Sequence, residues 1–160
     1  MSQVDAASFN LSGLIDGLSP DPDLSLHHIL SCFQAQVGTI HTLEQDGKLH
    51  LRAFSKGIPE TVLVVTRVIP VGKGMAGLAV ERKTPVNVCN LPQDKSGDVR
   101  PGAQGTGAVG SLCVPMMAGD AAVGALGIAS LKERTFSEAD VRSLLEAGRV
   151  LAKLLPRNAP

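Results

Sequence analysis

The 160-residue chain contains no tryptophan and no tyrosine, and its only aromatic side chains beside histidine are Phe9, Phe33, Phe54 and Phe136. Single-stranded bases usually stack on such rings, and methylated ammonium ligands sit in cages of them, so this composition disfavours both ligand classes. An excess of charge of one sign is also missing: 15 Lys+Arg balance 15 Asp+Glu, and no run rich in Lys or Arg occurs. Without that field, direct nucleic-acid binding is not expected. No apolar run is long enough to span a bilayer, so no membrane partner is expected either. Met1 to Leu18 carries Asp5 and Asp16, lacks a basic start and an unbroken apolar stretch, and does not read as a secretory signal. Cysteine is scarce and odd in number. Cys32, Cys89 and Cys113 are widely spaced among apolar neighbours, the pattern of a reducing, cytoplasmic setting rather than of a disulfide scaffold.

Material for a buried core is present. A hydrophobic fraction of 44 %, a charged fraction of 19 % and a mean hydropathy of +0.16 describe one globular domain. Leu11, Leu14, Ile15 and Leu18 recur at helical spacing and predict a helix over Ser8 to Leu18. Two prolines in Ser19 to Asp23 break it, and Asp21 or Asp23 can cap a second helix carrying Leu26, Ile29, Leu30 and Phe33 and ending near Gln36. From Val37 the pattern turns to short β-rich runs. Val37 to Glu44 and Lys48 to Phe54 flank Asp46-Gly47, which predicts a type I′ hairpin. That turn would set Ile40 and Thr42 opposite Ala53 and Leu51, and His41 and Leu43 opposite Arg52 and His50. Val62 to Pro70 is almost continuously β-branched and reads as a strand, and Val86 to Asn90 as another. Between them Gly72 to Gly77 opens a short helix over Leu78 to Lys83.

Leu91 to Gly107 is glycine- and proline-rich and too long for an ordinary connection, which marks it as a functional loop. Gly110 to Ala118 and Ala121 to Ser130 then pair across Gly119-Asp120. Counting from that turn puts Leu112, Val114 and Met116 on one face with Val123 and Ala125. Ser111, Cys113, Pro115 and Met117 fall on the other with Leu126 and Ile128. Ser137 with Asp140 forms a capping box for a last helix, whose apolar stripe of Val141, Leu144, Leu145, Gly148, Leu151 and Leu155 is widened by Ala147, Val150 and Leu154. The element order predicts an α+β fold with a central antiparallel sheet.

Few motifs carry chemistry. Gly72 to Gly77 matches the dinucleotide fingerprint G-x-G-x-x-G, yet antiparallel strands precede it and Asn90 stands where an acidic ribose ligand belongs, so a tight strand-to-helix turn is the simpler reading. His27 and His28 are adjacent on a helix and cannot chelate one ion together; both are expected to be solvent-exposed. His41 and His50 share a predicted hairpin face with Arg52, which opposes a cation, and no metal site is expected. Cys89 and Cys113 read as small buried hydrophobes. Arg100, in the long loop, is suited to clamping a carboxylate or phosphate.

Taken in order, Ile69 to Val80, Pro85-Val86, Gly110 to Met116, Val123 to Ile128 and Phe136 to Asp140 closely resemble the GAF domain family. The likeness runs from about Leu24 to Leu155, and suggests an N-terminal extension over residues 1–22, a GAF domain over 23–156 and a tail over 157–160. It implies a central antiparallel sheet with the first and last helices on one face and a lidded small-molecule pocket on the other. The signature of cyclic-nucleotide-binding members is not recognisable, with Phe136 and Glu138 its weak echoes, and the cysteine that anchors bilins is missing. One enzymatic branch reduces free methionine-R-sulfoxide with cysteines in the Gly-x-x-Gly helix and the lid loop. Here that helix reads Gly74-Met75-Ala76-Gly77, and Leu91 to Gly107 holds no cysteine.

The resulting expectation is a non-catalytic signalling module that senses a small molecule, with no catalytic residue assigned and no cofactor identified. A thiol-dependent reductase using Cys89 or Cys113, and a dimerisation module with a vestigial pocket, are the alternatives. Ser111 and Cys113 are placed on the pocket floor, with Asp98, Arg100 and Thr106 in the lid above, for a small anionic ligand held by Arg100. The helices Ser8 to Leu18 and Ser137 to Leu155 expose more apolar surface than one sheet face covers, and predict a homodimer.

Overall fold

The computed structural model describes residues 10–94 and 107–155. Helix α1 (Leu11–Asp16) starts on Asn10, whose side chain accepts the Ser12 amide. Helix α2 (Pro22–Phe33) starts on Asp21, whose carboxylate accepts the amides of Asp23 and Leu24. Proline at the first helical position has no amide to leave unpaired there. Gln34, left-handed at φ 53°, ends α2 two residues before the expected Gln36. Ser25 is fully buried, and its hydroxyl donates to the Ser19 carbonyl while accepting the Ser19 amide, which ties the proline-containing link to the helix.

Strands β1 (Val37–Leu43) and β2 (Lys48–Phe54) pair as predicted in kind but not in register. Ile40 faces Ala53, as expected, whereas His41 faces Leu51, Thr42 faces His50 and Leu43 faces Leu49. Arg52 is the extra residue of a β-bulge, which moves each residue beyond it by one place. The turn also differs: among its residues only Gly47 is left-handed, at φ 77°, so Gln45 to Gly47 form a three-residue loop instead of a type I′ pair.

The predicted strand Val62 to Pro70 is mostly a helix. Residues Glu60–Thr66 form α3, and only Val68–Pro70 form a strand, β3. Pro59 fixes an extended entry, Glu60 favours the amino-terminal end, and the Thr66 hydroxyl donates back to the Val62 and Leu63 carbonyls. Burial of Val62 and Leu63 outweighs the modest cost of β-branched residues in a helix. Helix α4 (Gly74–Arg82) begins earlier than the expected Leu78. Strand β4 (Val86–Val88) and the short 3-10 turn Leu91–Gln93 follow.

Strands β5 (Gly110–Ala118) and β6 (Ala121–Ser130) have the predicted limits. Gly119, at φ 63°, supplies the positive φ of the turn. A bulge at Val123 then pairs Met116 with Gly124, Val114 with Leu126 and Leu112 with Ile128. Leu126 and Ile128 therefore join the face of Leu112 and Val114, and Ala125 moves to the face of Cys113, the reverse of the count from the turn. The six-stranded antiparallel sheet has the order β3-β2-β1-β6-β5-β4.

Helix α5 (Glu138–Leu154) carries the predicted capping box of Ser137 and Asp140. It packs with α1 and α2 on one sheet face, over a core built from Leu26, Phe33, Ile40, Leu112, Met116, Leu126, Leu144 and Leu151. The approach is close at Gly148, where a Cβ would lie in contact with the Pro115 carbonyl at 3.4 Å. On the other face α4 lies over β5 and β6 around a second core containing Leu49, Ile69, Ala79, Val80, Val86, Cys113 and Ala129. Ala147 belongs to the first core and is fully buried within the chain, so it cannot serve the intermolecular surface predicted for it.

Candidate functional site

Alternation along β5 sends Leu112 and Val114 toward the helices and Ser111 and Cys113 to the opposite side. There the sheet, α3 and the start of α4 enclose a cavity of about 300 Å³. Apolar groups from three directions form its walls: Val37 from β1, Ile58, Val62 and Val65 from α3 and its approach, and Met75 from α4. Leu91, whose amide donates to the Val109 carbonyl at 2.7 Å, closes another side. The polar groups bordering the space are few: Thr39, His41, Thr66, Lys73 and Ser111, together with the Cys113 thiol. No acidic side chain is among the described residues that line it.

The Gly72-to-Gly77 run is a strand-to-helix turn, as its simpler reading required. Gly72 and Gly74 have φ of 91° and 66°, conformations that side chains resist. A Cβ on Gly77 would lie 2.5 Å from the Pro70 carbonyl. No parallel βαβ unit surrounds the motif, since β3 pairs antiparallel with β2 and β4 with β5. The turn's effect is to bring Lys73 and the first residues of α4 to the cavity.

His41 is 2 % exposed and projects from β1 on the cavity side. Its Nε2 lies 2.8 Å from the Thr66 carbonyl oxygen, and Nδ1 is buried without a hydrogen-bond partner among the described residues. Burial pushes its pKa down to about 4, with the Thr66 carbonyl opposing the shift and His50 adding to it. His50 lies on the other face of the hairpin, opposite Thr42, and bonds Asp46 at 2.8 Å, so the two histidines do not share a face. The His50 hydrogen bond, then the Lys48 amide, hold the Asp46 carboxyl below its ordinary range. No group of three His, Cys, Asp or Glu able to hold a metal occurs among the described residues.

The three cysteines are all free. Cys113 is buried at the cavity, and burial alone pushes its thiol up to about 12, where it is not a nucleophile at neutral pH. Cys32 packs against the helical core on the opposite sheet face, and burial raises its pKa too. Its neighbour at 3.6 Å, the His28 Nε2, also lies 3.1 Å from the carbonyls of Gly13 and Leu14. That nitrogen must carry the proton to bond carbonyls, so it cannot act as a base toward the thiol. His28 is consequently a pin between α1 and α2, not the solvated residue expected; His27 is exposed. Cys89 lies just beyond β4 and is exposed, contrary to its predicted burial.

Of the predicted ligand residues, Ser111 and Cys113 border the cavity, and Asp98, Arg100 and Thr106 lie outside the described residues. Reading by residue type missed His41, Thr39 and Lys73 as a group. The signal for Lys73 is present in Gly72-Lys73-Gly74, but Thr66 and its side of the wall belong to α3, where the β-branched residues predict a strand.

The GAF domain profile matches residues 23–155. Curated proteins yield no match. Among solved structures, the GAF domain of a phosphoenolpyruvate-protein phosphotransferase from Coxiella burnetii is similar with a TM-score of 0.77 and 19 % identity, over 96 % of this chain and 94 % of that one. The corresponding Acinetobacter domain gives 0.71 and 22 %, over 96 % and 93 %. A free methionine-R-sulfoxide reductase from Neisseria meningitidis, solved with its substrate, gives 0.68 and 17 %, over 93 % and 81 %. At these identities the likenesses speak for the fold, while the profile match extends over most of the residues; the chain belongs to the GAF domain family.

Proposed function

We propose that this chain is a non-catalytic sensing module that binds a small anionic molecule in the cavity and acts in signal transduction or regulation. The observation that carries the reading is the cavity itself: apolar walls, a few polar groups, no acidic side chain among its described residues, and Lys73 at the start of α4. Such a mixture is what small-molecule sites generally present, and a helix amino terminus beside a lysine favours negative charge. Ser111 and Cys113 would contribute the floor. Asp98, Arg100 and Thr106 are proposed as further ligand contacts, with Arg100 pairing the anion. Three free cysteines accord with a cytoplasmic protein.

The likeness to methionine-R-sulfoxide reductases makes thiol chemistry the second reading. Against it, Cys113 and Cys32 belong to cores on opposite faces of the sheet, Cys89 is exposed beyond β4, whose Val86 is the residue paired with Cys113, and 91–107 contain no cysteine. Thioredoxin-coupled reduction of free methionine-R-sulfoxide should stay at background. Turnover abolished by Cys89→Ser or Cys113→Ser would overturn the sensing reading. Thermal-shift screening of carboxylates and phosphates tests the positive side, with stabilisation expected for a subset of anions and none for their neutral amides or alcohols.

A homodimer is proposed as the signalling form. Val150 and Leu154 on α5 remain half-buried, and Leu11 on α1 is 44 % exposed.

A further inference from the structure

We propose that Gly127 determines what the cavity takes: an alkyl chain, bent into a notch that this glycine leaves in the sheet between Thr39 and Cys113. This rests on the cavity being the binding site and names the body of the molecule that fills it. Across three strands Thr39, Gly127 and Cys113 form one row, with Gly127 paired to both of the others. Val37, Ala129 and Ser111 form a second row on the same face, and all six residues border the cavity. Side chains of one row stand beside each other, so the glycine leaves a gap in the cavity floor. A Cβ built there would lie 3.6 Å from the Thr39 Oγ1 and 3.6 Å from the Cys113 Sγ, ordinary contact distances. Gly127 is not among the glycines with positive φ, so the backbone does not demand glycine at this position. Both Gly127 and Thr39 are half-buried rather than sealed, which leaves the notch within reach of a molecule in the cavity.

The walls suit the same body. Aliphatic side chains of α3 and α4, together with Leu91, surround the floor, and no aromatic ring is among the described residues that line the space. At about 300 Å³ the cavity has about twice the volume that holds benzene in an engineered apolar site, room for about a dozen non-hydrogen atoms. A flat ring would bridge the notch and leave its lining without partner atoms, whereas a chain bends into it and gains those contacts.

Straight-chain carboxylates from acetate to decanoate, with the matching primary alcohols, test this by calorimetry. Affinity for the wild type should rise about fourfold with each methylene from butanoate to octanoate. Gly127→Ala puts a methyl group into the notch at ordinary contact distances, and should keep or raise the urea midpoint. It should weaken octanoate about tenfold and leave butanoate within about twofold of its wild-type affinity. In the unmodified protein, the amide resonance of Gly127 should move with octanoate and stay in place with acetate, which decides the matter even where Gly127→Ala does not fold. Affinity that rises with chain length but is equal in the wild type and Gly127→Ala overturns the role of Gly127. Affinity independent of chain length overturns the alkyl ligand and leaves an anion site. Alcohols that bind as tightly as the acids uphold the alkyl ligand and remove its anionic end. Absence of binding by every acid and alcohol overturns the cavity reading together with the alkyl ligand.

Discussion

His41 is a buried imidazole whose ordinary pKa of 6.5 falls to about 4 on folding, chiefly because burial penalises the cation. The unfolded chain binds a proton near pH 6.5 that the folded chain refuses until about 4, so the unfolded state gains protons first as the pH drops. The contribution to stability is complete above 6.5 and is lost as the pH falls toward about 4, by on the order of 3 kcal/mol across the interval. Asp46 acts in a lower window, since its depressed carboxyl loses its contribution only below its ordinary 3.8. Urea midpoints measured from neutrality down to pH 4 should show this decline in the wild type and a flatter limb in His41→Gln. A wild-type midpoint constant over that range would show that the ring is hydrated in the folded protein.

At the scale of elements, α3 departs most from what its residues favour in isolation. Its sequence is Glu60-Thr-Val-Leu-Val-Val-Thr66, yet Pro59, the Glu60 dipole contact, the Arg67–Glu60 ion pair at 2.9 Å and the buried Val62 and Leu63 hold it helical. Val64 is 60 % exposed and contributes little packing, so its β-branched side chain is mostly a propensity cost. Val64→Ala should raise stability to urea by about 0.5 kcal/mol. In a strand the same change would lower it, because alanine is a poor strand former, so the sign of the effect tests the helix. The helix matters to the site because it carries the cavity wall and the Thr66 carbonyl that orients His41.

For the whole molecule, the sheet separates two apolar regions: α1, α2 and α5 cover one face, while α3, α4 and the cavity occupy the other. Core area absorbs much of the last helix, including Ala147, but Val150 and Leu154 keep part of their surface in solvent. If helices meet about a two-fold axis, Val150→Asp places a carboxylate in that contact and should give monomers in light scattering, with the melting temperature of the monomer little changed. A wild type that is monomeric at high micromolar concentration would remove the dimer from the proposal.

Features governed by near neighbours were legible in the residues alone. The caps of α2 and α5, the limits of β5 and β6 and the glycines of the Gly72-to-Gly77 turn all depend on contacts within a few positions, and the spacing of motifs sufficed for the family. The face assignments of Ser111, Cys113 and Leu112 followed from simple alternation. Tertiary structure decided what alternation cannot carry. Bulges at Arg52 and Val123 shift pairing by one residue, and each shift moves side chains such as Leu126 and Ile128 to the other face. A β-branched segment became α3 because packing against the sheet outweighs its propensity, and His41 became a site residue only when Thr66, twenty-five positions away, took its Nε2. A strand's local sequence cannot show which distant carbonyl will meet it, and that meeting fixes the His41 ring beside the cavity.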